Sequence, residues 1–248
     1  MSVVSVINQK GGVAKTTTSI NVAASWAKMG KKILLIDLDP QSSATKAIFG
    51  DQEFDSTVYD VICNGLQAEK AIVHSETFNI DVIPAEIMLS GIDIQLAPQF
   101  GREQFLRRRL TPIKSRYDAI IIDCSPSLGL LTINALMASD DIIIPICPEY
   151  FSMKGIDLIL STLQNIRAGL GHKVGVRGIV ITRYRNRKVI KDVIEQVQKN
   201  YGLRVFKDFI PDNIVVEEAH HHHKPVTQHS PSSAASKAYK HLAKELWI

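Results

Sequence analysis

A chain of 248 residues and 27.5 kDa with 29 Lys+Arg against 25 Asp+Glu carries a formal net charge of +4 and a pI of about 8.9. That surplus is too mild to hold nucleic acid by overall charge. With 45% hydrophobic and 22% charged residues, 14 Gly and 10 Pro, the composition excludes a disordered, collagen-like or disulfide-stapled chain and leaves one large domain or two small ones.

The longest stretch without a charge runs only from Cys124 to Ser139 and contains Pro126 and Gly129, short of the ~20 apolar residues of a spanning helix. No basic segment followed by an apolar one opens the chain, so no secretory signal is read. Cys63, Cys124 and Cys147 form neither a metal spacing nor an even disulfide set, which suggests a reduced, cytoplasmic protein.

Short apolar runs alternate with helix-length segments. Val3–Ile7, Ile33–Ile36, Ile80–Ile83, Ala119–Ile122, Ile142–Ile146 and Val176–Ile181 are predicted strands, Ile/Val-rich as buried parallel strands require. Between and after them, helices are predicted over Thr16–Met29, Ile87–Leu96, Arg102–Arg116, Leu131–Ser139, Ser152–Gly169, Val189–Tyr201 and Ala234–Trp247. Gly30 and Gly169 stand where a left-handed cap would close the first and fifth of these. With no linker or repeat in view, the expectation is a single α/β domain over 1–248, a mainly parallel sheet flanked by helices on both faces.

The segment from Val3 to Thr17, VVSVINQKGGVAKTT, runs strand, glycine loop, helix, the context that a phosphate-binding loop needs. Gly11 and Gly12 let the backbone wrap an anion, and the following helix start points its N–H groups at it. Lys15 would neutralise phosphate, and Thr16 would offer its hydroxyl to Mg²⁺. The G-x-x-x-x-G-K-[ST] pattern is not met: Gln9 and Ala14 replace its two glycines, and Lys10 adds a second lysine to the loop. Two predicted strands then end in acids, LLIDLDPQ with Asp37 and Asp39, and YDAIIIDCSP with Asp123. Carboxylates at the C-terminal ends of parallel strands stand in the ligand crevice of such sheets. There they hold a metal and orient an attacking water, which favours nucleotide hydrolysis.

At KGGVAKTT, LLIDLDPQ and YDAIIIDCSPSLG the chain resembles the ParA/Soj family of partition ATPases, in the deviant Walker A group that also includes MinD. The likeness extends to PEYFSMKG from Pro148, to IPDN from Ile210, to Glu218-Ala219, to KPV from Lys224 and to the terminal AYKHLAKEL, so it covers essentially the whole chain. It implies ATP and Mg²⁺ as ligands, with a slow ATPase that depends on dimerisation. Lys10 would be the signature lysine that reaches the partner's nucleotide in an ATP-sandwich homodimer. Lys10, Gly11, Gly12, Val13, Ala14, Lys15, Thr16 and Thr17 would bind nucleotide, and Thr16, Asp39 and Asp123 would hold or surround the metal. Asp39 would position the water, Asp123 would be the switch-II acid, and the role of Asp37 is not separable from that of Asp39. Tyr184, Pro211 and Asn213 would form the adenine pocket, although core packing accounts for a Tyr and a Pro equally well. Ala14 stands where most relatives have Gly.

The resemblance also implies non-specific DNA binding, a ParB-like centromere-binding or adaptor partner and a nucleoid-associated, cytoplasmic location, with a chromosome, plasmid or protein organelle as cargo. The DNA face would use Arg183, Arg185, Arg187, Lys188 and Lys191, whereas Asp212 and Val215 occupy places where the family carries arginines. A further basic run, Arg107, Arg108, Arg109, Lys114 and Arg116 on one predicted helix, reads equally well as a solvated face. His220–His223 is expected to be a polar surface loop. Two other readings compete. A MinD-like membrane-cycling regulator needs a terminal amphipathic anchor, and a membrane partner is not expected because the terminal helix is already used by the likeness. An iron-sulfur ATPase reductase needs thiolates about a dimer axis, and Cys124 has no second cysteine in a recognisable place.

Overall fold

The computed structural model describes residues 2–148, 153–185 and 187–247. One sheet runs in the order β3-β4-β2-β5-β1-β6-β7, with β1 (Ser2–Val6), β2 (Ile33–Leu38), β3 (Val73–Ser75), β4 (Ile80–Ile83), β5 (Ala119–Cys124), β6 (Asp141–Ile146) and β7 (Gly175–Ile181). Every neighbouring pair is parallel except β3 against β4. The helices are α1 (Lys15–Lys28), α2 (Ser43–Phe49), α3 (Val58–Cys63), α4 (Ile92–Gln95), α5 (Phe105–Leu110), α6 (Leu130–Ala138), α7 (Met153–Leu170), α8 (Arg187–Tyr201), α9 (Ile214–His221), α10 (Val226–His229) and α11 (Ala234–Leu246).

Because side chains alternate along a strand, the all-apolar runs feed two cores. Ile33 and Leu35 of β2 and Ile121 of β5 pack with α1 and α11, whereas Leu34, Ile36, Ile120 and Ile122 pack with α3, α5 and α6. A third cluster joins β6 and β7 to α7 and α8. α11 lies on α1, where the buried Trp26 donates its Nε1–H to the Ala243 carbonyl at 2.7 Å and meets Trp247 edge-on. Truncating such a buried Trp costs about 3–5 kcal/mol.

The predicted helix over Arg102–Arg116 is not one helix. It divides into a 3₁₀ turn at Arg102–Gln104, α5, and a second turn at Lys114–Arg116, because Pro112 cannot donate the next intrahelical bond. The first basic run is therefore split between two elements. Likewise Ile87–Leu96 divides into a 3₁₀ segment, Ile87–Gly91, and α4. Gly169 lies inside α7, and Gly171, at φ +64°, takes the left-handed position after it. α2, α3, α9, α10 and the antiparallel edge strand β3 were not predicted.

Candidate functional site

β1 lies between β5 and β6, and the chain leaves its C-terminal end into the Asn8–Ala14 loop. Asn8 pins the loop from both sides. Its Nδ2 donates to the Pro145 carbonyl at 2.7 Å, and its Oδ1 accepts from the Lys10 amide at 2.9 Å. Thr182 Oγ1 donates to the Val13 carbonyl at 3.0 Å. Ala14 caps α1 in the left-handed region, φ 60° and ψ 36°, a conformation that costs a non-glycine residue on the order of 1 kcal/mol. The glycine usual in the resemblance would remove that strain.

α1 then delivers three side chains to the crevice. Lys15, only 7% exposed, donates from Nζ to the Lys10 carbonyl at 3.1 Å. Thr16 Oγ1 donates to Asp123 Oδ2 at 2.7 Å, and Ser19 Oγ donates to Asp123 Oδ1 at 2.8 Å. Register sets Asp37 beside Asp123 on adjacent strands. Asp37 accepts from the Thr45 amide and hydroxyl at 2.8 and 2.7 Å and from the Asp39 amide at 3.1 Å. Asp39 accepts from the Gln41 amide at 3.0 Å.

Asp37 and Asp123 are fully buried. Burial first, and then the charge of the neighbouring acid, raises both above the usual carboxylate range, against the hydrogen bonds that they accept. Lys15 is lowered by burial, opposed by Asp123, Cys124 and Asp39. This is a cluster built to receive positive charge. A raised carboxyl contributes stability that is fully present below its unfolded value, ~3.9, and is lost as pH climbs through its folded value, about 7 for Asp123. Nucleotide-free Asp123→Asn should therefore melt a few degrees above the parent at pH 8, about 1–3 kcal/mol, and the gap should narrow by pH ~5 and close near pH ~4. A thermal melt at each pH reads this, and a parent that is the more stable at pH 8 would refute it.

The donor set Thr16, Asp39 and Asp123 is all hard oxygen, which fits Mg²⁺. Among the described residues no three His, Cys, Asp or Glu side chains converge as a ready-made metal cage. Cys124, at the end of β5, is buried, and that burial pushes its thiol up to about 12.

Beside the loop lies a cleft of about 180 Å³ lined by Gly12, Ala14, Thr17, Pro211 and Asn213 among others. Tyr184 is not on this lining. Its backbone bridges Pro211, bonding to Ile210 and Asp212, and its ring meets Phe209 edge-on. Lys10 is exposed at the lip of the loop.

The second basic group is divided. Arg183 donates from Nη1 to the Gly12 carbonyl at 3.2 Å and from Nε to Asp212 at 3.4 Å, while Arg185 holds the other Asp212 oxygen at 2.7 Å. Burial alone would raise Asp212, but these two arginines hold it below the usual range. Lys188 and Lys191 are exposed on α8, and the Arg187 side chain lies outside the described residues, as does Glu149–Ser152 of the PEYFSMKG stretch. The histidine tract is not a loop: His220 and His221 end α9, and His220 turns toward the cleft. Ser19, Thr45, Asp212 and His220 were missed by sequence reasoning. Ser19 had a signal, lying four residues after Lys15 on the same helical face.

A parallel sheet whose first strand feeds a glycine-lysine loop and helix beneath two strand-end acids defines a P-loop ATPase. The chain belongs to the ParA/Soj family of chromosome-partitioning ATPases. A family model described as an AAA domain matches residues 1–176. The sporulation initiation inhibitor protein Soj of Bacillus subtilis is 41% identical over 246 residues, covering 98% of this chain and 97% of that one. The chromosome partitioning protein ParA of Caulobacter vibrioides is 36% identical over 250 residues, covering 99% and 94%. Among solved structures, cobyrinic acid a,c-diamide synthase from Mycobacterium smegmatis with bound ADP and magnesium superposes with a TM-score of 0.86 at 31% identity, covering 98% of this chain and 92% of that chain.

Proposed function

We propose that this protein is an ATP-dependent dimer switch that binds DNA without sequence preference and hydrolyses ATP to partition a chromosome, stimulated by a ParB-like partner on the nucleoid. The observation that carries the reading is the convergence of Lys15, Thr16 and the buried Asp123 at one loop, with Lys10 exposed at its lip.

ATP would lay its phosphates on the loop amides of Gly11–Thr17, with Lys15 on the β and γ phosphates. Thr16 and the Asp123 and Asp39 carboxylates would hold Mg²⁺, directly or through water, and the ion would supply charge neutralisation at the phosphates. Asp39 orients a water whose oxygen bonds to the γ-phosphorus as the bridging β–γ bond breaks, giving ADP and phosphate. Lys10 of a second copy adds positive charge where transition-state charge develops, as an arginine finger does. Hydrolysis then waits for dimerisation. Asp39→Ala should keep ATP and the dimer while turnover falls at least ~10-fold. Size-exclusion chromatography showing only monomer with ATP would sink the assignment.

The membrane-cycling alternative lacks support. The apolar face of α11, with Tyr239, Leu242, Ala243 and Leu246, is buried against the body of the protein, and no described helix is long and apolar enough to cross a membrane.

A further inference from the structure

α9 starts at its Asn213 cap, whose side chain accepts from the Val215 amide, and runs through His221. Successive helical residues point ~100° apart, so the four histidines cannot share a face. His221, His222 and His223 are exposed, whereas His220 is half-buried and lines the cleft opposite the phosphate loop. His220 Nε2 is buried and has no hydrogen-bond partner. The Tyr239 hydroxyl, fully buried and on the same cleft, faces the neighbouring Thr18 hydroxyl, so these two can satisfy one another. Among the described residues, His220 Nε2 is therefore the buried polar atom on this cleft wall that is left unpaired. Each such atom costs about 1–3 kcal/mol, and such atoms in a native protein call for an explanation.

The chemistry of the wall selects its occupant. Lys15 stands at the phosphate-loop end, and Arg183, which also lines the cleft, is held by the Gly12 carbonyl and Asp212. At the other end burial holds the His220 imidazole below its usual value, against the opposing charge of Glu217, so the ring is neutral and offers one donor or one acceptor at Nε2. A neutral imidazole beside the Glu217 carboxylate disfavours phosphate at this end and suits a flat, uncharged ring that carries both donors and acceptors. We propose that His220 is a specificity-determining residue of this cleft, hydrogen-bonding through Nε2 to the polar edge of a purine base, with the Tyr239 and Thr18 hydroxyls behind it. The inference rests on reading the cleft as the nucleotide site.

The test is calorimetric titration of the full chain with Mg²⁺ and ATP, GTP or tripolyphosphate, the last carrying no base. His220→Leu should bind ATP ~10-fold more weakly, lose most of the parent's preference for ATP over GTP and bind tripolyphosphate as the parent does. His220→Gln, which keeps a donor and an acceptor, should recover ATP to within ~3-fold of the parent. An unchanged ATP affinity in His220→Leu overturns the proposal, as does equal loss in the Leu and Gln variants or a parallel loss of tripolyphosphate, which would mark a structural role. Lys15→Ala keeps the two readings apart: if it still binds ATP, the nucleotide cleft itself has been misassigned and the proposal falls with it.

Discussion

Lys15→Ala should abolish nucleotide binding, raising the ATP Kd by at least ~100-fold, whereas Lys10→Ala should leave the monomer's Kd within ~3-fold and slow hydrolysis by ~100-fold or more. The two lysines sit five residues apart on one loop, but their surroundings differ. Lys15 is 7% exposed, with its ammonium on a single carbonyl of its own loop and three acids or thiols in its field. Burying that charge is unfavourable until a polyphosphate supplies charge-assisted acceptors, each worth about 1.5–3 kcal/mol. Lys10 is exposed, and its backbone, held by Asn8 and Lys15, serves the loop independently of its side chain. Calorimetry separates binding from single-turnover hydrolysis. Retained ATP binding in Lys15→Ala, or parental hydrolysis in Lys10→Ala, would remove the loop assignment or the trans-lysine role respectively.

What made the centre of the sheet legible is that β2, β5 and β6 are buried on both faces and carry long apolar runs, Ile33–Ile36, Ala119–Ile122 and Ile142–Ile146. Their acids at the C-terminal ends could only be crevice residues. The edges were less legible. β3 is three residues long with one exposed position, which leaves no periodicity to read. α2 and α10 are short and depend on tertiary contact. α3 carried a signal that went unread, the Thr57 to Asp60 capping box, with the Thr57 amide donating to Asp60 at 2.9 Å. Within the site, the loop and acids follow from local order along the chain. Asp212 and His220 do not, because their roles come from contacts with Arg183, Arg185 and the cleft that only the β7-to-α9 return path creates.

That return path alters the expectation for DNA. The Asp39→Ala dimer loaded with ATP should bind two unrelated duplexes equally, and replacing Arg185, Lys188 and Lys191 by Ala should cut affinity by ~100-fold or more in low salt. Because Asp212 holds Arg185, the lysines Lys188 and Lys191 in each of two copies would neutralise about four phosphates, giving a log-log salt slope of about −4 that flattens in the variant. A net +4 spread over the surface cannot produce such a slope, so the cluster must. Asp212 works against it by holding Arg183 and Arg185 at the rim of the nucleotide cleft. Asp212→Asn should therefore strengthen DNA binding several-fold and steepen the slope by about one contact per copy, since the arginines lose their counter-ion and keep their charge. Fluorescence anisotropy over a salt series reads all three proteins. If the triple variant matches its parent in affinity and slope, the cluster is only a solvated face. If Asp212→Asn weakens DNA binding, the ion pairs position the arginines for phosphate instead of withholding them.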